Sequence, residues 1–159
     1  MSNIFAASEI VEMGIQIEKN GKDFYDTVAK SSTNNVAKEI FQFLSKEEEN
    51  HIKAFESILS QVKKYEPPEA YTDDYFSYIK ALAGDYVFVK KGMGKVIGGK
   101  VKTDKEAVDM GIGFERDSIL FYHEMKKFVL EKEKETVERL LDEERKHLVR
   151  ILGIKKSLQ

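Results

Sequence analysis

The feature that most constrains the fold of this chain is an internal repeat. The segment Glu9–Glu18 (EIVEMGIQIE) aligns with Glu106–Glu115 (EAVDMGIGFE), and the match continues as far as Tyr25 and Tyr122. Eight of the 17 positions from Glu9 to Tyr25 are identical in this alignment. Because the repeated residues have helical spacing, we expect one helical unit that occurs twice in the chain.

A second match shows that the repeated unit contains two helices. Glu47–His51 (EEENH) aligns with Glu143–His147 (EERKH), about one helix after the first match in each copy. The unit is therefore a helical hairpin, and we expect its two copies at about residues 7–64 and 104–156. The turn of the first hairpin is predicted near residues 31–35, a run of Ser, Thr and Asn.

The segment between the two hairpins is predicted to be a long crossover. The adjacent Pro67 and Pro68 end the helix that precedes them, so the crossover spans about residues 65–103. Two hairpins joined by one long connection form a known bundle topology. The predicted fold is all-α, an antiparallel four-helix bundle that forms a single domain over residues 1–159.

The limits of the second hairpin can be read from capping residues. Thr103 or Asp104 is a plausible N-cap because an acidic residue follows within the first turn. The third helix is predicted over about residues 104–130 and the fourth over about 134–152. The turn between them contains no Gly or Pro.

Ionisable side chains interrupt the apolar stripe of every predicted helix. On the first helix the stripe contains Ile10, Ile17 and Phe24 at helical spacing, and Glu18 lies within it. A buried carboxylate without a partner costs several kcal/mol or takes up a proton. The four stripes together contain six such residues: Glu18, Glu48, His51, Glu115, Glu144 and His147.

These residues are expected to meet in one layer of the bundle. Glu18 lies 15 residues before Thr33 in the first turn, and Glu48 lies 15 residues after it. In an antiparallel hairpin both are then about 22 Å from the turn, at about 1.5 Å per residue. Glu115 and Glu144 are 29 residues apart, so the second hairpin can match the first.

The charge of this layer predicts a metal site. Four ionised glutamates carry a charge of −4, and no Lys or Arg lies close to them on the stripes to compensate it. Two divalent cations would neutralise the layer, and carboxylate with imidazole suits iron or manganese, with zinc also open. Tyr25 and Tyr122 stay on the same face two turns later and are candidates to hydrogen-bond a ligand carboxylate, although a role as ordinary core tyrosines is equally open.

Other residues are given simpler interpretations. We expect Glu47, Glu49, Glu143 and His123 to be solvated. The glycine-rich segment 92–99 (GMGKVIGG) lacks the spacing of a phosphate loop and is interpreted as flexible crossover. The aromatic residues of the crossover are expected to pack it on the bundle or to form a dimer interface: Tyr71, Tyr75, Phe76, Tyr78 and Tyr86.

Composition excludes several classes of function. Lys and Arg number 26 against 28 Asp and Glu, and this near-neutral balance gives no reason to expect nucleic acid or an anionic membrane as partner. The absence of Cys excludes disulfides, thiolate metal sites and iron–sulfur clusters. No secretory signal or apolar stretch of membrane-spanning length is visible, so a cytoplasmic protein is the expectation.

The chain has one Glu on each of two helices and a Glu-x-x-His motif on each of the other two. In this pattern it resembles the ferritin-like di-iron carboxylate superfamily, and within it the rubrerythrin-type proteins. The resemblance covers residues 9–55 and 106–152. It implies two iron ions, with Glu18 and Glu115 as terminal ligands, Glu48 and Glu144 as bridging ligands, and one ion on each histidine. It also implies a homodimer.

The resemblance has two departures. Rubrerythrins usually carry a further Glu one turn before the ligand Glu of the third helix, where this chain has Ile112. They also usually carry a cysteine-rich rubredoxin module, which a chain without Cys does not contain, so electrons must come from an external donor. The implied activity is an oxidoreductase that acts on hydrogen peroxide or dioxygen. Two alternatives stay open, a ferroxidase that handles iron and a non-catalytic bundle stabilised by its metal.

Overall fold

The computed structural model describes residues 4–5, 7–65, 69–70, 74, 77–78, 81 and 90–158. Five α-helices lie within these ranges: α1 Ala7–Ser31, α2 Asn35–Tyr65, α3 Met93–Lys100, α4 Asp104–Met125 and α5 Lys134–Ser157. Two two-residue strands, β1 Ile4–Phe5 and β2 Glu69–Ala70, pair in antiparallel fashion. None of the helices in the described part of the chain is both long enough and apolar enough to cross a membrane.

The four long helices form the predicted bundle of two hairpins. Helix α1 packs against α2 and α4, and α5 packs against α4 and α2. The predicted stripe of α1 faces the interior, since Ile10, Ile17 and Phe24 are all buried. The all-α prediction is confirmed, and the paired strands are a minor addition to it.

The two hairpins are joined at one end by Asp104. Its Oδ2 atom accepts hydrogen bonds from the backbone N–H groups of Thr33 (3.2 Å) and Asn34 (2.8 Å) in the turn between α1 and α2. At the start of α4 the Thr103 side chain accepts from the Glu106 N–H, so Thr103 is the N-cap. The turn of one hairpin is therefore tied to the first residue of the other.

The third helix is shorter than predicted. Helix α4 ends at Met125 rather than near residue 130, and a 3-10 turn, Lys126–Phe128, follows it. The tighter turn is accompanied by burial of Phe128 and Val129 in the core. The fourth helix is longer than the predicted 134–152, because Ile154 in its last turn is also buried.

The prediction of a flexible glycine-rich segment is wrong, because residues 93–100 form α3, which packs on α1. A Cβ atom on Gly94 would lie 2.0 Å from the backbone oxygen of Asn20, so only glycine permits this approach. The Asn20 side chain holds the start of α3 by donating to the Lys90 carbonyl at 2.7 Å and accepting from the Gly94 N–H. Gly94 and Gly98, which lie against Asn20 and Thr27 of α1, thus serve close packing. The prolines Pro67 and Pro68 lie outside the described residues, as do all the predicted packing aromatics of the crossover except Tyr78, which is exposed.

Candidate metal centre

Six ionisable side chains are buried at mid-height of the bundle, two of them on each of α2 and α5 and one on each of α1 and α4. Each has a relative exposure of 5% or less. They are the residues that interrupt the apolar stripes: Glu18, Glu48, His51, Glu115, Glu144 and His147. The structure thus brings together all six side chains singled out in the sequence.

The cluster divides into two groups of four that could each hold a metal ion. In each group, one ligand atom per residue lies within 4.8 Å of the others. The first group contains Glu18 and His51, and the second contains Glu115 and His147. Glu48 and Glu144 belong to both groups, as two bridging carboxylates would.

Both imidazoles present Nδ1 to the interior of the cluster. His51 Nδ1 lies 2.7 Å from Glu144 Oε1 and 3.5 Å from Glu18 Oε2. His147 Nδ1 lies 3.5 Å from Glu144 Oε2 and 3.8 Å from Glu115 Oε2. The two oxygens of Glu144 therefore face different histidines, and the imidazole rings stack with centroids 5.4 Å apart.

The cluster contains polar atoms that the protein does not satisfy. Among the described residues, six fully buried atoms of the cluster have no hydrogen-bond partner: Glu18 Oε2, His51 Nδ1, Glu115 Oε2, both carboxylate oxygens of Glu144, and His147 Nδ1. The 2.7 Å contact between His51 and Glu144 does not supply one, because it falls outside hydrogen-bond geometry. Buried polar atoms are nearly always paired, so six orphans that face one another need a ligand. Oxygen and imidazole nitrogen donors fit divalent iron, manganese or zinc.

Two buried tyrosines hold the terminal carboxylates in place. Tyr25 on α1 donates a hydrogen bond to Glu115 Oε1 on α4 at 2.6 Å, and Tyr122 on α4 donates to Glu18 Oε1 on α1. Each tyrosine thus contacts the glutamate of the other hairpin. The second oxygen of each glutamate is left to face the cluster.

Two glycines allow close packing beside these tyrosines. A Cβ atom on Gly111 would lie 2.4 Å from Ile151 Cδ1 and 3.3 Å from the Tyr25 hydroxyl, and one on Gly14 would lie 3.0 Å from Met125 Sδ. Both glycines belong to the repeated Met-Gly-Ile motif. The repeat therefore places a closely packed glycine one turn before each terminal glutamate.

The expectation that Glu143 and Glu47 are merely solvated is wrong. Both are half-buried, and Glu143 Oε2 lies 2.8 Å from His51 Nε2, while Glu47 Oε2 lies 3.8 Å from His147 Nε2. Glu143, as an acceptor at His51 Nε2, fixes the tautomer of that ring that leaves Nδ1 free for a metal. The signal in the sequence was the repeat itself, which places a Glu before the Glu-x-x-His motif in both hairpins. Glu49 and His123 are exposed, as predicted.

Without cations the cluster must hold protons. Burial, reinforced by the charge of Glu144, raises the pKa of Glu18 to about 7. Burial and the same neighbour raise the pKa of Glu115 well above its usual value. Burial alone would lower the pKa of His51. The charges of Glu18 and Glu144 outweigh this effect of burial and raise the pKa of His51 to about 12. Burial raises the pKa of Glu144, but contacts with Glu115 and both histidines hold it well below its usual value.

A comparison with known families agrees with this geometry. A family model described as rubrerythrin matches residues 9–154, nearly the whole chain. The chain belongs to the rubrerythrin family. Rubrerythrins are ferritin-like di-iron carboxylate proteins, in accord with the bundle and its buried carboxylate–histidine cluster. Searches among curated proteins and among solved structures gave no significant match.

This rubrerythrin-family chain has a more symmetric centre than the resemblance alone implied. Ile112, at the position of the additional family Glu, is buried and aligns in the repeat with Ile15, which is also buried. The two halves of the cluster therefore have the same donors and the same apolar residue one turn before the terminal glutamate. Glu115 is therefore the only carboxylate that the described part of α4 contributes to the cluster.

Proposed function

We propose that the protein is a non-haem di-iron oxidoreductase that reduces hydrogen peroxide or dioxygen. The observation that carries the proposal is the set of six unpartnered buried atoms in two groups of four, with Glu48 and Glu144 common to both. When bound there, two iron ions supply one electron each, so that hydrogen peroxide and two protons give two waters. A separate electron donor returns the electrons.

The protein residues have separable roles in this proposal. Glu18 and His51 would hold one ion, and Glu115 and His147 would hold the other. Glu48 and Glu144, which belong to both groups, would be shared between the two ions. Each ion would then have two protein ligands of its own and two carboxylates shared with the other ion, which leaves coordination positions open for a small oxygen ligand.

The remaining protein groups position and isolate the centre. Tyr25 and Tyr122 hold one oxygen of each terminal carboxylate, so that the other oxygen stays directed at the ion. Apolar residues of the bundle core, among them Phe24, Phe55 and Phe121, are buried, as are the cluster residues, so little of the cluster faces solvent. A dry site strengthens the electrostatic interaction between ligand and ion.

The test is anaerobic loading with two Fe²⁺ per chain, followed by stopped-flow mixing with hydrogen peroxide or with oxygenated buffer. The expected result is oxidation of the protein-bound Fe²⁺ faster than that of the same Fe²⁺ in buffer without protein. Glu144→Gln, which keeps the side-chain size but weakens the bridge, is expected to lose the effect, and Glu49→Gln on the exposed face of α2 to retain it. Oxidation at the rate of free Fe²⁺ with both oxidants would remove the oxidoreductase proposal.

A further inference from the structure

A cavity of about 260 Å³ opens to solvent between α2 and α5, next to the buried cluster. Its wall combines an aromatic ring, two carboxylates, an imidazole and two cations: Phe43, Glu47, Glu143, Lys146, His147 and Arg150. Only His147 belongs both to this cavity and to the cluster. The cavity therefore connects the solvent with one of the two halves of the centre.

A third group of possible metal ligands lies beside the cavity. It combines Glu47 with His51 and His147, each with one ligand atom within 4.8 Å of the others, and Glu47 Oε2 lies 3.8 Å from His147 Nε2. Glu47 is half-buried and lines the cavity. A carboxylate oxygen and an imidazole nitrogen are donors for the same divalent ions as the cluster.

The two histidines differ in how they are held. His51 Nε2 has Glu143 at 2.8 Å, whereas His147, whose side chain is only 4% exposed, has no hydrogen-bond partner at Nε2 among the described residues. Because His147 lines the cavity, its Nε2 is placed to bind a ligand there, together with Glu47 Oε2 at 3.8 Å.

The rim of the cavity limits how tightly a cation is held. Lys146 and Arg150 form no ion pair with any described residue, and Arg150 lies 4.1 Å from the centroid of the Phe43 ring. The positive charges of Lys146 and Arg150 offset the negative charges of Glu47 and Glu143. A transient binding site on an entry route must bind the ion strongly enough to capture it and weakly enough to release it.

We infer that Glu47 and His147 Nε2 form a transient binding site for a divalent transition-metal ion, through which ions enter and leave the buried centre. The inference rests on the proposed metal centre and adds its loading route. Ions pass from the cavity to the half of the centre that contains His147.

The experiment is stopped-flow loading of the metal-free protein with Co²⁺ under argon, followed through the visible absorption of the bound ion. Release is measured separately by adding excess chelator to the loaded protein. In Glu47→Gln we expect both rates to fall roughly tenfold with an unchanged dissociation constant, because a charge on the route changes the barrier and not the final state. Lys146→Gln is expected to raise both rates, and Glu49→Gln, on an exposed face of α2, to leave them unchanged.

The outcomes separate this inference from the proposed centre. If the wild-type protein binds two Co²⁺ but Glu47→Gln loads at the wild-type rate, the route is wrong and the centre stands. A weaker affinity of Glu47→Gln with an unchanged loading rate would make Glu47 a positioning residue and also overturn the route. If the wild-type protein binds no Co²⁺, both the centre and its route fall.

Discussion

The hydroxyl of Tyr122 donates a hydrogen bond to Glu18, which lies 104 residues earlier in the chain and on the other hairpin. The equivalent tyrosine of the first hairpin, Tyr25, makes the same bond to Glu115, 90 residues later. The pseudo-twofold relationship between the hairpins is therefore expressed in a reciprocal exchange of contacts. Each hairpin supplies a terminal carboxylate and the hydroxyl that holds the carboxylate of the other.

Replacing Tyr25 by Phe should destabilise the metal-free protein. The substitution leaves the buried Glu115 Oε1 without its donor while the ring continues to fill the core. We expect the free energy of unfolding to fall by about 1–2 kcal/mol in urea titrations. Tyr122→Phe, the symmetric control, should lose a similar amount, and unchanged stability in both variants would show that these hydrogen bonds are not formed.

The inward-facing site residues could be predicted from the sequence, for reasons visible in particular positions. Glu18 and Glu115 each interrupt an apolar stripe, and the repeat fixes their equivalence. The helical period then determines which face each occupies. The partner of Tyr25 could not be read in this way, because it depends on how α1 and α4 are aligned with each other. That alignment is set by packing, such as the fit of Gly111 beside the Tyr25 hydroxyl.

Helix α3 and the role of Glu143 escaped prediction for a different reason. Gly94 and Gly98 lower the helix propensity of segment 93–100, and tertiary contact with Asn20 and Thr27 of α1 overrides it. Glu143 lies one position from the buried Glu144, so the stripe assigns it to solvent. Its long side chain nevertheless reaches His51 on the neighbouring helix.

Removing the Glu143 carboxylate should weaken metal binding. Glu143→Ala takes away the acceptor 2.8 Å from His51 Nε2, so the ring is no longer fixed with Nδ1 towards the cluster. Such partners are typically worth about 10- to 100-fold in metal affinity. Calorimetric titration with Co²⁺ measures the effect, with Glu49→Ala as the exposed control on α2. Equal affinities for the two variants would remove the positioning role of Glu143.

The metal-free protein should lose stability as the pH rises. Burial, together with the charge of Glu144, raises the pKa of Glu18 from 4.5 to about 7. A carboxyl whose pKa is higher in the folded state contributes stability below pH 4.5 that is lost as the pH rises to about 7. The raised pKa of Glu115 acts in the same direction, and so does that of His51 above pH 6.5. The pKa of Glu144 is lowered, so this group has the opposite effect: the stability that it contributes is lost as the pH falls below 4.5.

Circular dichroism melts in chelator at pH 5, 6, 7 and 8 test this expectation. The melting temperature should fall across the series. With saturating Co²⁺ the gain in melting temperature should grow from pH 5 to pH 8, because the ion binds deprotonated ligands. A melting temperature of the metal-free protein that rises from pH 5 to pH 8 would contradict the protonated cluster.

A pair of glycine substitutions on α3 should have opposite effects. In Gly94→Ala the new Cβ would lie 2.0 Å from the Asn20 backbone oxygen, which cannot move aside cheaply, so we expect a loss of about 2–3 kcal/mol. In Gly99→Ala nothing lies within 4 Å, and the better helix propensity should stabilise the protein by about 0.5–1 kcal/mol. Urea unfolding of both variants provides the comparison. Similar stabilities would show that α3 does not pack on α1 as described.

The most direct test of the metal centre is anomalous X-ray diffraction at the iron edge from crystals of protein loaded anaerobically with Fe²⁺. The account predicts two strong peaks inside the bundle, one beside Glu18 and His51 and the other beside Glu115 and His147, with Glu144 between them. An interior without anomalous density in fully loaded crystals, or iron confined to surface carboxylates, would contradict it.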